Sequence, residues 1–328
     1  MVLVGAASED WSGDARFHEY SSAADPLASG AISGVPITEF PPSLHGGTGS
    51  RIVPLDLSGP LAVPYPASSP ALLAAFVVLE PGSPLATRPD ATSELYYCLE
   101  GAGHTLFRRT VVPGEPAGSA PTDGTIGWEE GDLVTLPSGC SCEHTAHGDR
   151  RALLYRVTDA PLLAYLGVRP GPARFAPTRY PAAVSRARLA EVESDPAAAT
   201  RSRVSILLAN AAQPQTLTVT HTLWAMLGVL PVDRVQRPHR HQSVALDLII
   251  DCAPGCYSLL GPDLDDRGDI VDPVRVDWQS AGAFVTPPGL WHSHHNESGR
   301  PAHLLPIQDA GLHTYLRSLD IRFTSSAG

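Results

Sequence analysis

Two histidines separated by one residue open the segment HRHQSVALDL, residues 239–248. On a β-strand, residues i and i+2 face the same way, about 7 Å apart along the strand. His239 and His241 can therefore hold one cation together. A lone buried histidine is usually a hydrogen-bonded core residue, but a pair at this spacing that leads into an apolar strand favours a metal-binding role.

A third ligand is expected from another strand that faces the same cavity. The segment TPPGLWHSHHNES, residues 286–298, supplies His292, and His294 and His295 follow it closely. Three neutral imidazoles bind Fe(II) or Zn(II), so the ligand type alone does not choose the metal. The sequence thus predicts a three-histidine metal site in the second half of the chain.

The elements that must position these histidines are predicted to be short strands. The 328 residues include 29 glycines and 32 prolines, which are scattered between short apolar runs. That distribution is typical of many short strands joined by turns, and it argues against a helical bundle or a disordered chain. The expected fold class is therefore all-β.

The chain also repeats itself at an offset of 150 residues. The segment DAPLLAYL (159–166) matches DAGLHTYL (309–316) in five of eight positions, and VTLPSGCSCEH (134–144) aligns with VTPPGLWHSHH (285–295) if one residue of slip is allowed. Each copy contains about eight short strands and one closing helix, which fits a small β-barrel or jelly roll. The Pro-rich segment 169–181 is predicted to be the linker.

The second motif is recognisable. The spacing Pro287-x-Gly289-x-x-His292-x-x-x-Asn296 resembles the second motif of the cupin family, and the His-x-His pair resembles the core of the first. The repeat resembles a bicupin, a tandem pair of cupin jelly rolls. The second half is similar to gentisate 1,2-dioxygenase and related ring-cleaving enzymes in LWAMLGVLPVDRVQRPHRHQSVAL and TPPGLWHSHHNESGRPAHLLPIQDAGL. The resemblance covers residues 45–328.

This resemblance implies two tandem cupin domains with short flanking helices, at residues 1–172 and 173–328. It also implies a non-haem Fe(II)-dependent dioxygenase that uses a small-molecule substrate and O2, although Zn, Mn or Ni could occupy the same ligands. Cupins often add a glutamate ligand after the His-x-His pair, and here that position is Ala245. Three open coordination positions would then remain for a bidentate substrate and O2.

The first copy keeps the frame but lacks the ligands. Glu94 fits the glutamate of the first motif, but the preceding residues RPDATS contain no histidine. Cys142 stands where His292 stands in the second copy, and His144 matches His294. We therefore expect a barrel with a degenerate metal site and a structural role; binding of a soft metal is the alternative. The ring-cleaving relatives usually carry their metal in the first barrel, so the halves are expected to be swapped.

Strand parity extends from the histidine pair to Asp247, which should point into the barrel if no bulge intervenes. A buried carboxylate is costly unless it is paired, so Asp247 is expected either in a salt bridge with an arginine or in contact with substrate. Gentisate-type enzymes carry an arginine at the aligned position, where it is thought to hold the substrate carboxylate. An anion there predicts a neutral or cationic substrate, such as an aminophenol, rather than gentisate.

His294 is the expected catalytic partner, because parity puts it on the face of His292. It could act as general base for a substrate hydroxyl or orient a ligand. Further candidates for substrate binding, with core packing as the alternative for the two tryptophans, are Trp224, Trp291, Gln242 and Asn296.

The net charge of −11 provides no basic surface for nucleic acid or for an anionic membrane. No apolar run approaches the ~18 residues of a membrane span, and the first residues do not resemble a signal peptide. We expect a cytoplasmic homodimer or homotetramer whose five cysteines are reduced, with a bridge between Cys252 and Cys256 as the alternative. Two other functions stay open: a non-redox metal-dependent isomerase or lyase, and a non-enzymatic binding or storage bicupin.

Overall fold

The computed structural model describes residues 11–111, 113–115, 120–199, 201 and 203–324. By compactness the chain separates into residues 1–34, whose described part contains the one-turn helix α1 (Tyr20–Ala23), and residues 35–328. All the strands described below belong to the second unit. In the described residues, no helix has the length and apolar character that crossing a membrane requires.

The strands of the first half are β1 (Thr38–Phe40), β2 (Arg51–Pro54), β3 (Leu73–Leu79), β4 (Leu85–Thr87), β5 (Ser93–Glu100), β6 (Ala102–Arg109), β7 (Asp123–Glu129), β8 (Leu133–Pro137), β9 (Cys140–Ala146) and β10 (Ala152–Thr158). Those of the second half are β11 (Thr178–Tyr180), β12 (Val204–Leu208), β13 (Trp224–Leu230), β14 (Arg234–Arg240), β15 (Ala245–Asp251), β16 (Cys256–Gly261), β17 (Val274–Asp277), β18 (Ala283–Thr286), β19 (Trp291–Asn296), β20 (Ala302–Gln308) and β21 (Arg322–Phe323). The helices are α2 (Ser58–Leu61), α3 (Ala160–Leu166), α4 (Ala182–Ser194) and α5 (Ala310–Leu316), with 3₁₀ turns at Pro42–His45 and Pro196–Ala199. The predicted all-β class with short flanking helices is confirmed.

These strands form two barrels of two sheets each. The N-terminal barrel combines the sheet β11-β8-β5-β10-β3-β2 with the sheet β4-β9-β6-β7. The C-terminal barrel combines β1-β18-β15-β20-β13-β12 with β17-β16-β19-β14-β21. Every pair of neighbouring strands is antiparallel, as a jelly roll requires.

The two barrels pack against each other through their six-stranded sheets. One apolar cluster contains Phe76 and Tyr155 of the N-terminal barrel together with Leu246 and Ile307 of the C-terminal barrel, all almost completely buried. Alternate residues of the same strands point the other way, into two separate barrel interiors. Strands buried on both faces explain the long apolar runs of the sequence.

Edge strands cross between the halves, which the sequence analysis did not foresee. Strand β1 pairs with β18, at the edge of the C-terminal barrel, and β11 pairs with β8, at the edge of the N-terminal barrel. Strand β11 lies inside the segment 169–181 that was predicted to be a linker. The domain division between residues 172 and 173 stays a prediction, because residues 35–328 form one compact unit.

Strand register corrects the predicted slip in the repeat. Glu94 pairs with Leu136 in the first barrel, and Ala245 pairs with Thr286 in the second. Leu136 and Thr286 are 150 residues apart, which is the same offset as that of the DAPLLAYL repeat. The offset of 150 residues therefore holds through the second motif without a slip. Ala245 corresponds to Glu94, because each lies opposite one of these two equivalent residues, as the cupin motif predicts.

Candidate metal centre

Three buried histidines meet inside the C-terminal barrel. His239 lies on β14 directly opposite His292 on β19, and His241 follows β14. One ring nitrogen from each histidine lies within 4.8 Å of the other two. The ring centroids of His239 and His241 lie 4.0 and 4.9 Å from that of His292. The structure thus brings together the three rings that the sequence spacing selects.

Hydrogen bonds determine which nitrogen of each ring is available as a ligand. Each Nδ1 lies near a main-chain carbonyl oxygen two residues away, at 3.2 Å in His239, 2.8 Å in His241 and 3.0 Å in His292. A carbonyl oxygen only accepts, so each Nδ1 carries the proton and donates it. Each Nε2 therefore keeps a lone pair, which is the form that binds a metal.

The three rings are held neutral. Burial, followed by the repulsion of neighbouring rings, keeps the pKa values of His239 and His292 well below the usual value. Burial lowers the pKa of His241 to about 4. Because a protonated imidazole cannot bind a cation, these low pKa values leave all three rings ready to act as ligands at neutral pH.

The donor set fits a divalent metal ion. Nε2 of His241 is buried and has no hydrogen-bond partner. An unpaired buried acceptor is costly, and a metal ion would satisfy it. Three imidazole nitrogens suit Fe(II), Zn(II), Mn(II) or Ni(II), so the residues fit a divalent metal ion but do not identify which one. Nε2 of His239 differs from Nε2 of His241, because it already accepts a hydrogen bond at 2.6 Å from Arg203 Nη2.

Arg203 is a site residue that the sequence analysis missed. It immediately precedes β12, which pairs with β13 at the edge of the barrel. Its guanidinium also contacts Met226 Sδ at 3.6 Å. Because a guanidinium only donates, the Gln236 amide must present its oxygen to Arg203, and in that orientation it accepts from Nε at 2.6 Å and from Nη2 at 2.8 Å. Burial lowers the pKa of Arg203 to about 10, and the charge of Asp247 opposes that shift.

Asp247 points into the barrel, as strand parity predicts. Its carboxylate accepts a hydrogen bond of 2.6 Å from Thr286 Oγ1. Burial raises its pKa to about 6, while the bond from Thr286 and the charge of Arg203 act to lower it. A salt bridge between Asp247 and an arginine was one expectation, but the hydrogen-bond partner of Asp247 is the hydroxyl of Thr286. The charge of Arg203 attracts the Asp247 carboxylate without a direct hydrogen bond.

A hydrogen-bond relay fixes the orientation of His294. The Trp278 indole N–H donates to Ser258 Oγ at 2.8 Å, and Ser258 Oγ lies 2.7 Å from His294 Nδ1. An indole N–H only donates, so Ser258 Oγ accepts there, and in the described residues Nδ1 of His294 is the only acceptor that its own hydrogen reaches. The proton of His294 therefore resides on Nε2. The ring lies 5.8 Å from that of His239 and 5.7 Å from that of His292.

The N-terminal barrel contains the same relay. Trp128 donates to Thr105 Oγ1 at 3.0 Å, and Thr105 Oγ1 lies 2.9 Å from His144 Nδ1. His144 and Trp128 precede His294 and Trp278 by 150 residues each. The predicted correspondence of His144 with His294 therefore extends to the partners of both rings.

The metal-binding positions of the N-terminal barrel hold other side chains. Thr87 pairs with Cys142 across β4 and β9, as His239 pairs with His292 across β14 and β19. In the described residues, the only cluster of three or more potential ligands is the histidine triad of the other barrel. The structural role of this barrel stays a prediction.

Glu94, the motif glutamate, has two protein partners. It accepts from Arg156 at 3.1 Å and from Tyr96 at 2.7 Å. Thr87 Oγ1 links Tyr96, at 3.1 Å, to His144 Nε2, at 2.9 Å. The guanidinium of Arg156 thus supplies a positive charge in this barrel interior.

The buried imidazole of His144 makes stability depend on pH. Burial, helped by the charge of Arg156, lowers the pKa of His144 to about 3. The unfolded chain binds the proton near pH 6.5 and the folded chain does not, so stability is full above pH 6.5 and falls as the pH drops toward 3. Between pH 6.5 and pH 5 we expect this residue alone to cost about 2 kcal/mol.

Urea unfolding at several pH values measures this loss. A His144→Gln variant should be less stable at pH 7 but should show a pH dependence that is shallower by the same amount. If the free energy of unfolding depends on pH equally in the variant and in the wild type, the loss of stability does not come from His144.

Two of the predicted substrate-binding residues lie near the site. Trp224 lies on β13 opposite Gln308, and its indole nitrogen is buried without a hydrogen-bond partner. Gln242 directly follows His241, but its side-chain oxygen accepts from the backbone N–H of Asp320 at 2.8 Å. Trp224 therefore retains a free donor, whereas Gln242 is used to hold the C-terminal segment.

The other two have partners within the protein. Trp291 faces opposite to His292 on β19, and its ring lies 5.1 Å from Cζ of Arg240. The Asn296 amide donates to two main-chain oxygens and accepts from Ser298, so it ties the end of β19 to its neighbours. Their role in substrate binding stays a prediction.

Comparison with known proteins yields one curated relative. No protein-family model matches the chain. Gentisate 1,2-dioxygenase 1 of Aquipseudomonas alcaligenes is 31% identical over 83 residues, which cover 25% of this chain and 20% of that protein. The match thus spans about a fifth of the length of that relative.

Solved structures resemble the chain over most of its length. Salicylate 1,2-dioxygenase from Pseudaminobacter salicylatoxidans has a TM-score of 0.63 at 16% identity, with 84% of this chain and 81% of that chain covered. A variant of that enzyme in complex with gentisate gives 0.61 at 16% identity, with 86% and 80% covered. Procruciferin, an 11S globulin from Brassica napus, gives 0.54 at 12% identity, with 88% and 86% covered. The chain therefore shares its fold with these proteins, and the predicted resemblance to gentisate 1,2-dioxygenase is confirmed.

Proposed function

We propose that the chain is a non-haem Fe(II)-dependent dioxygenase that acts on a small hydroxylated or aminated aromatic substrate. The observation that carries the proposal is the convergence of three neutral imidazoles within 4.8 Å in a buried interior. His239, His241 and His292 would hold the ion through their Nε2 atoms. Fe(II) bound there would supply the electron-transfer chemistry that lets O2 react with an organic molecule.

Other residues of the chain would bind and orient the substrate. His294 carries its proton on Nε2, so we propose that it donates a hydrogen bond to a substrate oxygen, rather than acting as the general base of the sequence analysis. Trp224 offers its unpartnered indole N–H as a second donor. Both donors favour oxygen-bearing substrates.

The charge of the interior bears on substrate choice. The expected preference for neutral or cationic substrates depends on the carboxylate of Asp247. Arg203 brings a positive charge into the same interior, and that charge attracts Asp247. Because the two charges offset each other, we extend the proposed substrates to ring compounds that carry a carboxylate.

The first experiment measures bound metal and oxygen consumption together. The chain is purified without chelator, its metals are quantified, and aminophenols, catechols and hydroxybenzoates, including salicylate and gentisate, are tested in an oxygen electrode. We expect close to one iron per chain and oxygen uptake with at least one ring compound.

The other outcomes separate the alternatives. One tightly bound zinc per chain without oxygen uptake would contradict the dioxygenase proposal and favour a Lewis-acid isomerase or lyase. Failure to retain any metal in stoichiometric amount would favour a non-enzymatic bicupin.

A further inference from the structure

Arg203 contacts the metal-facing nitrogen of one proposed ligand. Its Nη2 lies 2.6 Å from His239 Nε2, whose lone pair is the acceptor because Nδ1 of the same ring donates to a carbonyl oxygen. A metal ion would approach the same lone pair at about 2.0–2.1 Å. Both cannot lie along one lone pair, so the guanidinium and the metal exclude each other at this atom.

Arg203 has other partners that do not involve His239. The Gln236 amide oxygen accepts from its Nε and Nη2, and Asp247 attracts its charge within the same interior. Gln236 and His239 both belong to β14, so a short shift of the guanidinium would release the imidazole while Nε stays on Gln236.

We propose that Arg203 competes with the metal ion for His239 and that metal binding requires its guanidinium to withdraw from His239 while it stays on Gln236. This proposal rests on the metal centre of the proposed function. It makes Arg203 a residue that lowers metal affinity while it keeps His239 paired and oriented when no ion is bound. Loss of Arg203 should therefore strengthen metal binding, whereas loss of a supporting residue would weaken it.

The test titrates metal into the full-length chain after removal of bound metal by a chelator and dialysis. Zn(II) is added in competition with a chromophoric chelator, to the wild type and to Arg203→Met. Removal of a charge-assisted hydrogen bond should raise Zn(II) affinity by about tenfold or more. Arg240→Met is the matched control, because Arg240 adjoins His239 in sequence but lies over Trp291 on the other face. Its affinity should equal that of the wild type.

A spectrum of the metal-stripped protein tests the contact itself. A long-range ¹H–¹⁵N spectrum of the metal-stripped wild type should show His239 Nε2 as a hydrogen-bonded acceptor, and that signal should shift in Arg203→Met. Folding of each variant is checked by circular dichroism.

Equal or weaker Zn(II) binding by Arg203→Met, with tight binding by the wild type, overturns the proposal for Arg203 and leaves the metal centre intact. If neither protein binds Zn(II) in stoichiometric amount, both proposals fail.

Discussion

Replacement of His241 by alanine should abolish stoichiometric metal binding and all metal-dependent oxygen consumption. If three ligands share a binding free energy of about 12 kcal/mol, loss of one removes about 4 kcal/mol, or roughly 10³ in affinity. The fold should survive, because Nε2 of His241 has no hydrogen-bond partner within the protein. Metal content is measured after dialysis, and thermal unfolding of the metal-stripped variant is compared with that of the wild type.

His295→Ala is the control for this substitution. His295 is one of the three histidines of β19, but its ring stacks on Tyr257, at 4.6 Å between centroids, on the face away from the cavity. This variant should keep its metal and its oxygen uptake. Retention of one metal per chain by His241→Ala would show that the ligand set is wrong.

The ligand positions could be predicted from the sequence because they depend on local rules. A strand repeats every two residues, so His239 and His241 had to share a face, and the same rule separated His294 from His295. The same parity also places Trp291 opposite to His292. Trp291, for which substrate binding and core packing were both expected roles, lies with its ring against Arg240.

Arg203 could not be predicted in the same way. Its position depends on the pairing of β12 with β13, and its guanidinium reaches His239, which lies 36 residues further along the chain. Non-local contacts of this kind leave no periodic signal. The pairing of β11 with β8 had no such signal either, because a three-residue strand inside a Pro-rich segment resembles a linker.

Asn296 shows a different limit of prediction from sequence. It belongs to the second motif, and its amide is hydrogen-bonded to main-chain groups and to Ser298 at the end of β19. The spacing of a motif does not distinguish a residue that closes a turn from one that binds a ligand, because both roles fit the same position.

Replacement of His294 by alanine should leave the metal bound but reduce turnover by about 10²–10³, the usual contribution of one preorganised hydrogen-bond donor. Ser258→Ala should have a smaller effect, about 10–100-fold, because the imidazole would lose the hydroxyl that keeps its proton on Nε2. Both are measured as kcat for oxygen uptake at full metal occupancy.

The internal repeat supplies a matched control for the relay. Thr105 holds the position of Ser258 in the N-terminal barrel, with the same tryptophan and histidine partners. Thr105→Ala should cost stability but leave kcat unchanged, since that barrel lacks the three-histidine cluster. Unchanged kcat in Ser258→Ala would show that the proton position on His294 does not matter for turnover. Loss of metal in His294→Ala would instead make His294 a ligand, and the octahedral ion would then have one position fewer to offer a substrate.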